Sequence, residues 1–300
     1  MTNVQQVKTI AQYHKLMNLP SPKHPLVSVI DYDSIQREPS KGAQKFIYDF
    51  YSISVKRNFD AKMKYGQLQY DFDYGVVFFI APGQVFSIEV SNNNTNHSGW
   101  GLLIHPDFFW GTALAGGIKK YDYFDYNVNE ALFLSEQEED TLINILKNIE
   151  KEYNSNIDHF SQQIIISQIE TLLNYSERFY QRQFITRQKA NHQLLDKLNK
   201  ILEHEFSKDL HKLPTVQMVA EQLSVSPNYL NGMLKSTTGK TTQEHIHQKI
   251  IEKAKEKLST TDLSVSEIAY ELGFEYPQSF SKLFKSKTNQ TPMQFRAEFN

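Results

Sequence analysis

Three hundred residues, 40% of them hydrophobic and 22% charged, suffice for about two domains with cores of their own. Without cysteine the chain has no disulfide, no Cys-ligated zinc or iron–sulfur cluster and no thiol nucleophile, and a net charge of −2 excludes a uniformly basic coat for nucleic acid. The start, Met1 to Pro25, lacks the basic end and apolar run of a signal peptide, and no stretch approaches the roughly 18 apolar residues of a membrane span, so a cytoplasmic chain without membrane contact is expected.

Short strands are expected from Pro25 to about Leu103. Leu26–Ile30, Lys45–Val55, Gly75–Ile80, Val85–Val90 and Trp100–Ile104 are rich in β-branched and aromatic residues. Turn clusters bound them, notably Ala81-Pro-Gly-Gln84 and Asn92-Asn-Asn-Thr-Asn96. Such a run predicts a small barrel or sandwich.

At Ser135 the period changes. Ser135 and Glu138 are spaced as a capping box, and Leu142, Ile145, Leu146 and Ile149 form one stripe behind them. A second helix, about Asp158 to Phe184, places Ile165, Ile169, Leu172, Ser176 and Phe179 at helical spacing, with Ile164, Ile166 and Leu173 widening the face. That face either packs on the strands or forms a homodimer surface, for which Ile165, Ile169, Leu172 and Phe179 are the candidates.

The last third repeats itself. Val216-Gln-Met-Val-Ala-Glu-Gln-Leu223 matches Val265-Ser-Glu-Ile-Ala-Tyr-Glu-Leu272 at an offset of 49. Leu230, Leu234, Lys235, Ser236, Thr238 and Thr241 recur as Phe280, Phe284, Lys285, Ser286, Thr288 and Thr291 at an offset of 50. One extra residue in a turn, with both flanking helices in phase, is what two copies of a helix-turn-helix unit show. In copy one, Thr215 and Ser226 are helix caps and Pro227 takes a first helical position. Val216, Val219, Ala220, Leu223, Leu230, Met233 and Leu234 face inward; Asn228, Asn231, Gly232 and Lys235 face out. In copy two, Ser264 and Glu267 form a capping box and Gly273 suits a left-handed turn. Val265, Ile268, Ala269, Leu272, Phe280, Leu283 and Phe284 face inward; Gln278, Ser281, Lys282 and Lys285 face out.

Thr241 to Leu258 contains no Gly or Pro and predicts a rod of about 27 Å between the copies. A rod of that length can hold two reading helices about 34 Å apart, one turn of duplex, for successive major grooves.

The segment Ser264-Val-Ser-Glu-Ile-Ala-Tyr-Glu-Leu-Gly-Phe-Glu275, with Phe280-Ser-Lys-Leu-Phe-Lys285 and Thr291-Pro-Met-Gln-Phe-Arg296, resembles the signature of AraC-family transcriptional regulators. Ala220-Glu-Gln-Leu-Ser-Val-Ser-Pro-Asn-Tyr-Leu230 with Thr238-Gly-Lys-Thr241 resembles their upstream unit, and the resemblance covers about residues 194–299. It implies an all-α domain of two helix-turn-helix units over 191–300, bound to double-stranded promoter or operator DNA. By motif position, Asn228, Asn231 and Gly232 are its base-reading residues in copy one, and Pro277, Gln278, Ser281 and Lys282 in copy two. Phosphate contacts fall to Lys235, Lys240, Lys282, Lys285 and Lys287. Gly232 stands where the family often has a long polar or basic side chain, Asn289 where glycine is usual, and Arg296 is the one arginine beyond residue 190. Asn and Gln suit adenine, so A·T-rich steps are expected.

Residues 1–186 more weakly resemble the family's cupin-like β-barrel (about 25–105) with appended helices (about 135–184), for an α+β chain overall. That implies dimerisation, a small-molecule effector and contact with RNA polymerase, as in an activator. The alternatives are a cupin-type metalloenzyme with a helical appendage and an interaction module without DNA. For metal chemistry, His24, His97 and His105 lack the spacing of cupin ligands, and His245 and His247 point about 200° apart on a helix. No metal, cofactor or enzymatic activity is therefore expected. The acidic–aromatic strings Asp31-Tyr-Asp33, Asp71-Phe-Asp-Tyr74 and Tyr121-Asp-Tyr-Phe-Asp-Tyr126 fit a sugar pocket, but alternation with acids wetted and aromatics buried gives the same pattern and is favoured.

Overall fold

The computed structural model describes residues 4–34, 44–57, 75–88, 98–126, 130–155, 160–186, 188–206 and 212–299. The string Asp71–Tyr74, the turn Asn92–Asn96 and His97 lie outside them. The chain divides into two compact units, Met1–Gln183 and Phe184–Asn300.

The first unit starts with β1 (Val4–Val7) and α1 (Ile10–Leu16), capped by the Thr9 side chain on Gln12 N. There follow β2 (Val27–Asp31), β3 (Gln44–Tyr48), β4 (Tyr51–Arg57), β5 (Gly75–Ile80), β6 (Val85–Ile88) and β7 (Ser98–Ile104). The short helix α2 (Leu114–Gly117) and β8 (Leu132–Leu134) lead to the long helices α3 (Glu136–Asn154) and α4 (Ser161–Thr186).

The barrel or sandwich expected over 25–105 is sheet-rich, and among the described residues it is not a closed barrel. The strands make two sheets, β1-β3-β6 and β2-β7-β4-β5-β8, whose edge strands do not pair with one another. Lys45–Val55, which the sequence reads as one strand, is divided between the two sheets. The chain leaves the first sheet after Tyr48, turns through Asp49 and the fully buried Phe50, and enters the second at Tyr51. In the larger sheet Ile53 of β4 lies opposite Leu102 of β7 and Phe79 of β5, all three buried. A core containing Ile10, Tyr13, Ile30, Tyr32, Phe46, Tyr48, Phe50, Phe86 and Leu103 joins residues of both sheets. The absence of a side chain at Gly101 leaves room for the Tyr32 hydroxyl, which shares a 2.7 Å hydrogen bond with Ser54 Oγ.

The Ser135–Glu138 capping box is formed and starts α3, whose Leu142, Leu146 and Ile149 are fully buried. Glu138 also holds the Arg182 guanidinium of α4 at 2.6 Å, and Arg182 Nη2 donates to Phe133 O. The face of α4 packs inward. Ile165, Ile169, Leu172 and Phe179 are at most 6% exposed within the protomer, so the expected dimer face is core instead. The string Tyr121–Tyr126 bonds to α4 beside that face: Tyr123 Oη donates to Leu173 O and Tyr121 Oη to Asn174 Oδ1, while Asp122 and Asp125 stay exposed. Aromatics in and acids out is the observed arrangement there, on a 3-10 turn rather than a strand.

The second unit is helical: α5 (Gln188–Phe206), α6 (Val216–Gln222), α7 (Pro227–Thr238), α8 (Thr242–Thr260), α9 (Val265–Glu271), α10 (Pro277–Thr288) and α11 (Pro292–Arg296). Helix α8 is the spine, packed against α5, α6 and α7 in one copy and α9 and α11 in the other. Ile246, Ile250, Ala254 and Leu258 along it are at most 2% exposed. At 19 residues it is about 28 Å long.

Candidate nucleic-acid interface

Each helix-turn-helix unit is built by its own local chemistry. In copy one, Thr215 accepts from Met218 N and Ser226 from Tyr229 N, and Gly239 ends α7 in the left-handed region at φ +72°. In copy two, Ser264 and Glu267 form the expected capping box and Gly273 turns at φ +84°. Asn289, standing for the usual glycine, ends α10 at φ +62°. The two turns carry matching backbone bonds, Val225 N to Ala220 O and Phe274 N to Ala269 O, both 3.0 Å. The inner faces also match. Leu230, Met233 and Leu234 are fully buried in α7, as are Phe280 and Phe284 in α10; Leu283 is half-buried rather than core. Burying a side chain of that size contributes about 1.5–3 kcal/mol.

The opposite faces of α7 and α10 differ. On α10, Gln278 and Lys282 are exposed and Ser281 is half-buried, with no intramolecular hydrogen bond for any of the three among the described residues. Pro277 occupies the first helical position. On α7, Asn228, Asn231 and Gly232 are half-buried. Asn231 is engaged: its Oδ1 accepts the backbone N–H of Thr242, first residue of α8, at 3.2 Å. Spacing alone does not announce that bond.

Among the candidate phosphate-binding lysines, Lys235 and Lys285 are exposed at equivalent phases of α7 and α10. Lys240 Nζ donates to Gln248 Oε1 at 2.7 Å. Glu244 lies near both Lys240 and Lys287. Its carboxyl is held below the usual carboxylate range first by the Thr241 N–H, then by the Thr241 hydroxyl, with smaller contributions from Lys287 and Lys240. Basic side chains from both copies thus gather around the start of α8. His245 and His247 share this region, and burial lowers both pKa values, helped by Lys240 and Lys287 respectively. They bind different partners, Thr238 Oγ1 and Gln243 Nε2. No group of three or more metal-ligating side chains occurs among the described residues. Arg296 lies at the far end of α8, where its Nε donates to Leu258 O.

A pair of capped helix-turn-helix units on one long helix defines the class: a duplicated helix-turn-helix domain of the nucleic-acid-binding kind. Residues 219–298 match the family model described as "Helix-turn-helix domain". The C-terminal part of the chain thus carries a helix-turn-helix domain of the AraC type. It is similar to the HTH-type transcriptional activator RhaS of Salmonella schwarzengrund, 37% identical over 103 residues, 33% of this chain and 36% of that one. It is also similar to the uncharacterized HTH-type transcriptional regulator YfiF of Bacillus subtilis, 32% identical over 141 residues, 47% of this chain and 42% of that one. Among solved structures, the C-terminal domain of the two-component response regulator yesN from Fusobacterium nucleatum is 35% identical, with 33% of this chain and 93% of that chain covered and a TM-score of 0.30. The chain spans 8% to 56% of the length of the curated relatives it matches first.

Proposed function

We propose that this chain is a sequence-specific regulator of transcription that binds double-stranded DNA through α7 and α10, set in successive major grooves. The observation that carries the reading is the outward face of α10. There Gln278, Ser281 and Lys282 stand without intramolecular hydrogen bonds on a helix whose other side is aromatic core. A glutamine amide pairs with the N6 and N7 edge of adenine, and a lysine reaches guanine or phosphate, so the contacted steps are rich in A·T. Asn228 adds to the reading surface on α7. Lys235, Lys240, Lys285 and Lys287 anchor phosphates, together with helix N-termini.

The name of RhaS as an activator supports the same sign of regulation here. The sheet-rich first unit is assigned to effector response, the working form to a cytoplasmic homodimer, and the partner at the promoter to RNA polymerase. The interface between copies lies away from Ile165, Ile169, Leu172 and Phe179, which are spent in the core. The protein has no catalytic role in this reading.

Gel retardation of the full chain with fragments from upstream of its own and neighbouring genes tests the proposal. Retardation that survives excess non-specific duplex is the expected result; no retardation of any fragment at low salt refutes it.

A further inference from the structure

Copy one and copy two differ at two linked positions, each at the repeat's offset of 50. Asn231 corresponds to Ser281, and Thr242 to Pro292. The first turn of a helix has backbone donors without intrahelical partners. In α8 the Thr241–Glu244 capping box satisfies the N–H groups of Thr241 and Glu244, and Asn231 Oδ1 takes that of the fully buried Thr242. In α11 the Thr291–Gln294 box does the same work, but Pro292 has no N–H to satisfy. Ser281 is accordingly left without an intramolecular bond among the described residues.

The donor on α8 fixes which amide atom of Asn231 faces it, since only the oxygen accepts. Reading adenine needs that oxygen and the amide nitrogen together on one base edge. The neighbouring position compounds the difference: Gly232 offers no side chain, whereas its counterpart Lys282 is exposed.

We propose that base discrimination is concentrated in the second helix-turn-helix unit, through Gln278, Ser281 and Lys282. Asn231 is then a positioning residue that locks α7 to α8, and the first helix-turn-helix unit, with its reading surface reduced to Asn228, grips DNA chiefly through phosphates. This rests on the DNA-binding reading above.

Selection from random duplexes with the full chain, scored separately for the two half-sites, is the test. The wild type should return one well-defined half-site and one degenerate half-site. Gln278→Ala should lower preference at the defined half-site about tenfold. Asn231→Ala should leave the recovered sequence unchanged, and so should Asn231→Asp, which keeps the acceptor for Thr242 but loses the amide donor. The aspartate lowers affinity for all sequences alike through its charge. Thr242→Pro copies Pro292 at a position where proline is tolerated; by releasing Asn231 it should add preference to the degenerate half-site. Two equally defined half-sites, or a loss in Asn231→Asp matching that of Gln278→Ala, overturns the asymmetry. So does a Thr242→Pro variant that selects as wild type does. Failure of the wild type to bind any duplex instead removes the DNA-binding reading itself.

Discussion

Exchanging the turn residues of the two helix-turn-helix copies should move the stability of the second compact unit, which contains both, in opposite directions. Ser224 sits at φ +58°, and its counterpart in the second turn, Gly273, at φ +84°. A residue with a Cβ in the left-handed region is strained by about 1–2 kcal/mol. Glycine removes that strain, but its greater freedom in the unfolded chain returns about 0.5–1 kcal/mol. Ser224→Gly should therefore stabilise the second unit by about 0.5–1 kcal/mol, or roughly 2–5 °C for a unit of this size. Gly273→Ser should destabilise it by a similar amount. The two tryptophans, Trp100 and Trp110, both belong to the first unit, whereas the second is built of helices. Melting followed by tryptophan fluorescence thus reports the first unit, and far-ultraviolet circular dichroism adds the second. The expected pattern is a shifted dichroism transition with an unmoved fluorescence transition. Equal shifts in both probes, or a lower melting temperature for Ser224→Gly, would show that strain at this turn is not what separates the two copies.

The equivalent lysines give a prediction for binding. Lys235→Ala and Lys285→Ala should each weaken binding to all sequences alike and reduce the slope of log K against log salt by about 1; an unchanged slope removes that lysine from the phosphate contacts. Acidification gives another. His245 and His247 are held below their ordinary 6.5, by burial first and then by Lys240 and Lys287. The unfolded chain therefore binds more protons than the folded one below about pH 6.5. Stability is full above that value and falls as the pH drops toward the folded-state values. Denaturant midpoints by circular dichroism should fall between pH 7 and pH 5, and His247→Gln should flatten the decline; an equally steep decline in the variant contradicts the assignment.

The second unit was legible because its signals are local. Ser226 before Pro227 and Ser264 with Glu267 each dictate a helix start, and Gly273 a turn, from within a few residues, and the repeat supplies a second reading of every position. The first unit was less so. Lys45–Val55 reads as one strand because β-branched and aromatic residues dominate it on either side of Asp49, yet burying Phe50 diverts the chain between sheets. Tertiary packing overrides pattern there. The stripe Ile165–Phe179 reads equally as core or interface, since an apolar face states only that something covers it. The string Tyr121–Tyr126 that packs on α4 lies about fifty residues away, with the Tyr123 hydroxyl aimed at the Leu173 carbonyl and the Tyr121 hydroxyl at the Asn174 side chain, contacts that no periodicity discloses.

The repeat also shows where two copies of one unit can diverge without loss of fold. Through Leu223 and Leu272, Ser224 and Gly273, and Val225 and Phe274, the two turns keep the same backbone bonds. The extra residue of copy two falls after this shared frame, where Glu275 and Tyr276 stand in place of Ser226. Its effect is confined to the start of the next helix. Ser226 is buried and caps α7 through its side chain, whereas Tyr276 is 61% exposed and gives α10 no side-chain cap. Pro227 and Pro277 take the same first helical position, so that difference between the copies is one of capping side chain alone, whereas Pro292 at α11 has no proline counterpart in α8. In copy two, Pro292 removes at α11 the donor that copy one satisfies at α8 with Asn231, and at α10 the Ser279 N–H turns to the Tyr276 carbonyl where in copy one the Tyr229 N–H meets the Ser226 side chain. Side chains released from backbone duty are the ones free to meet a ligand, which is why α10 rather than α7 presents an unencumbered polar face.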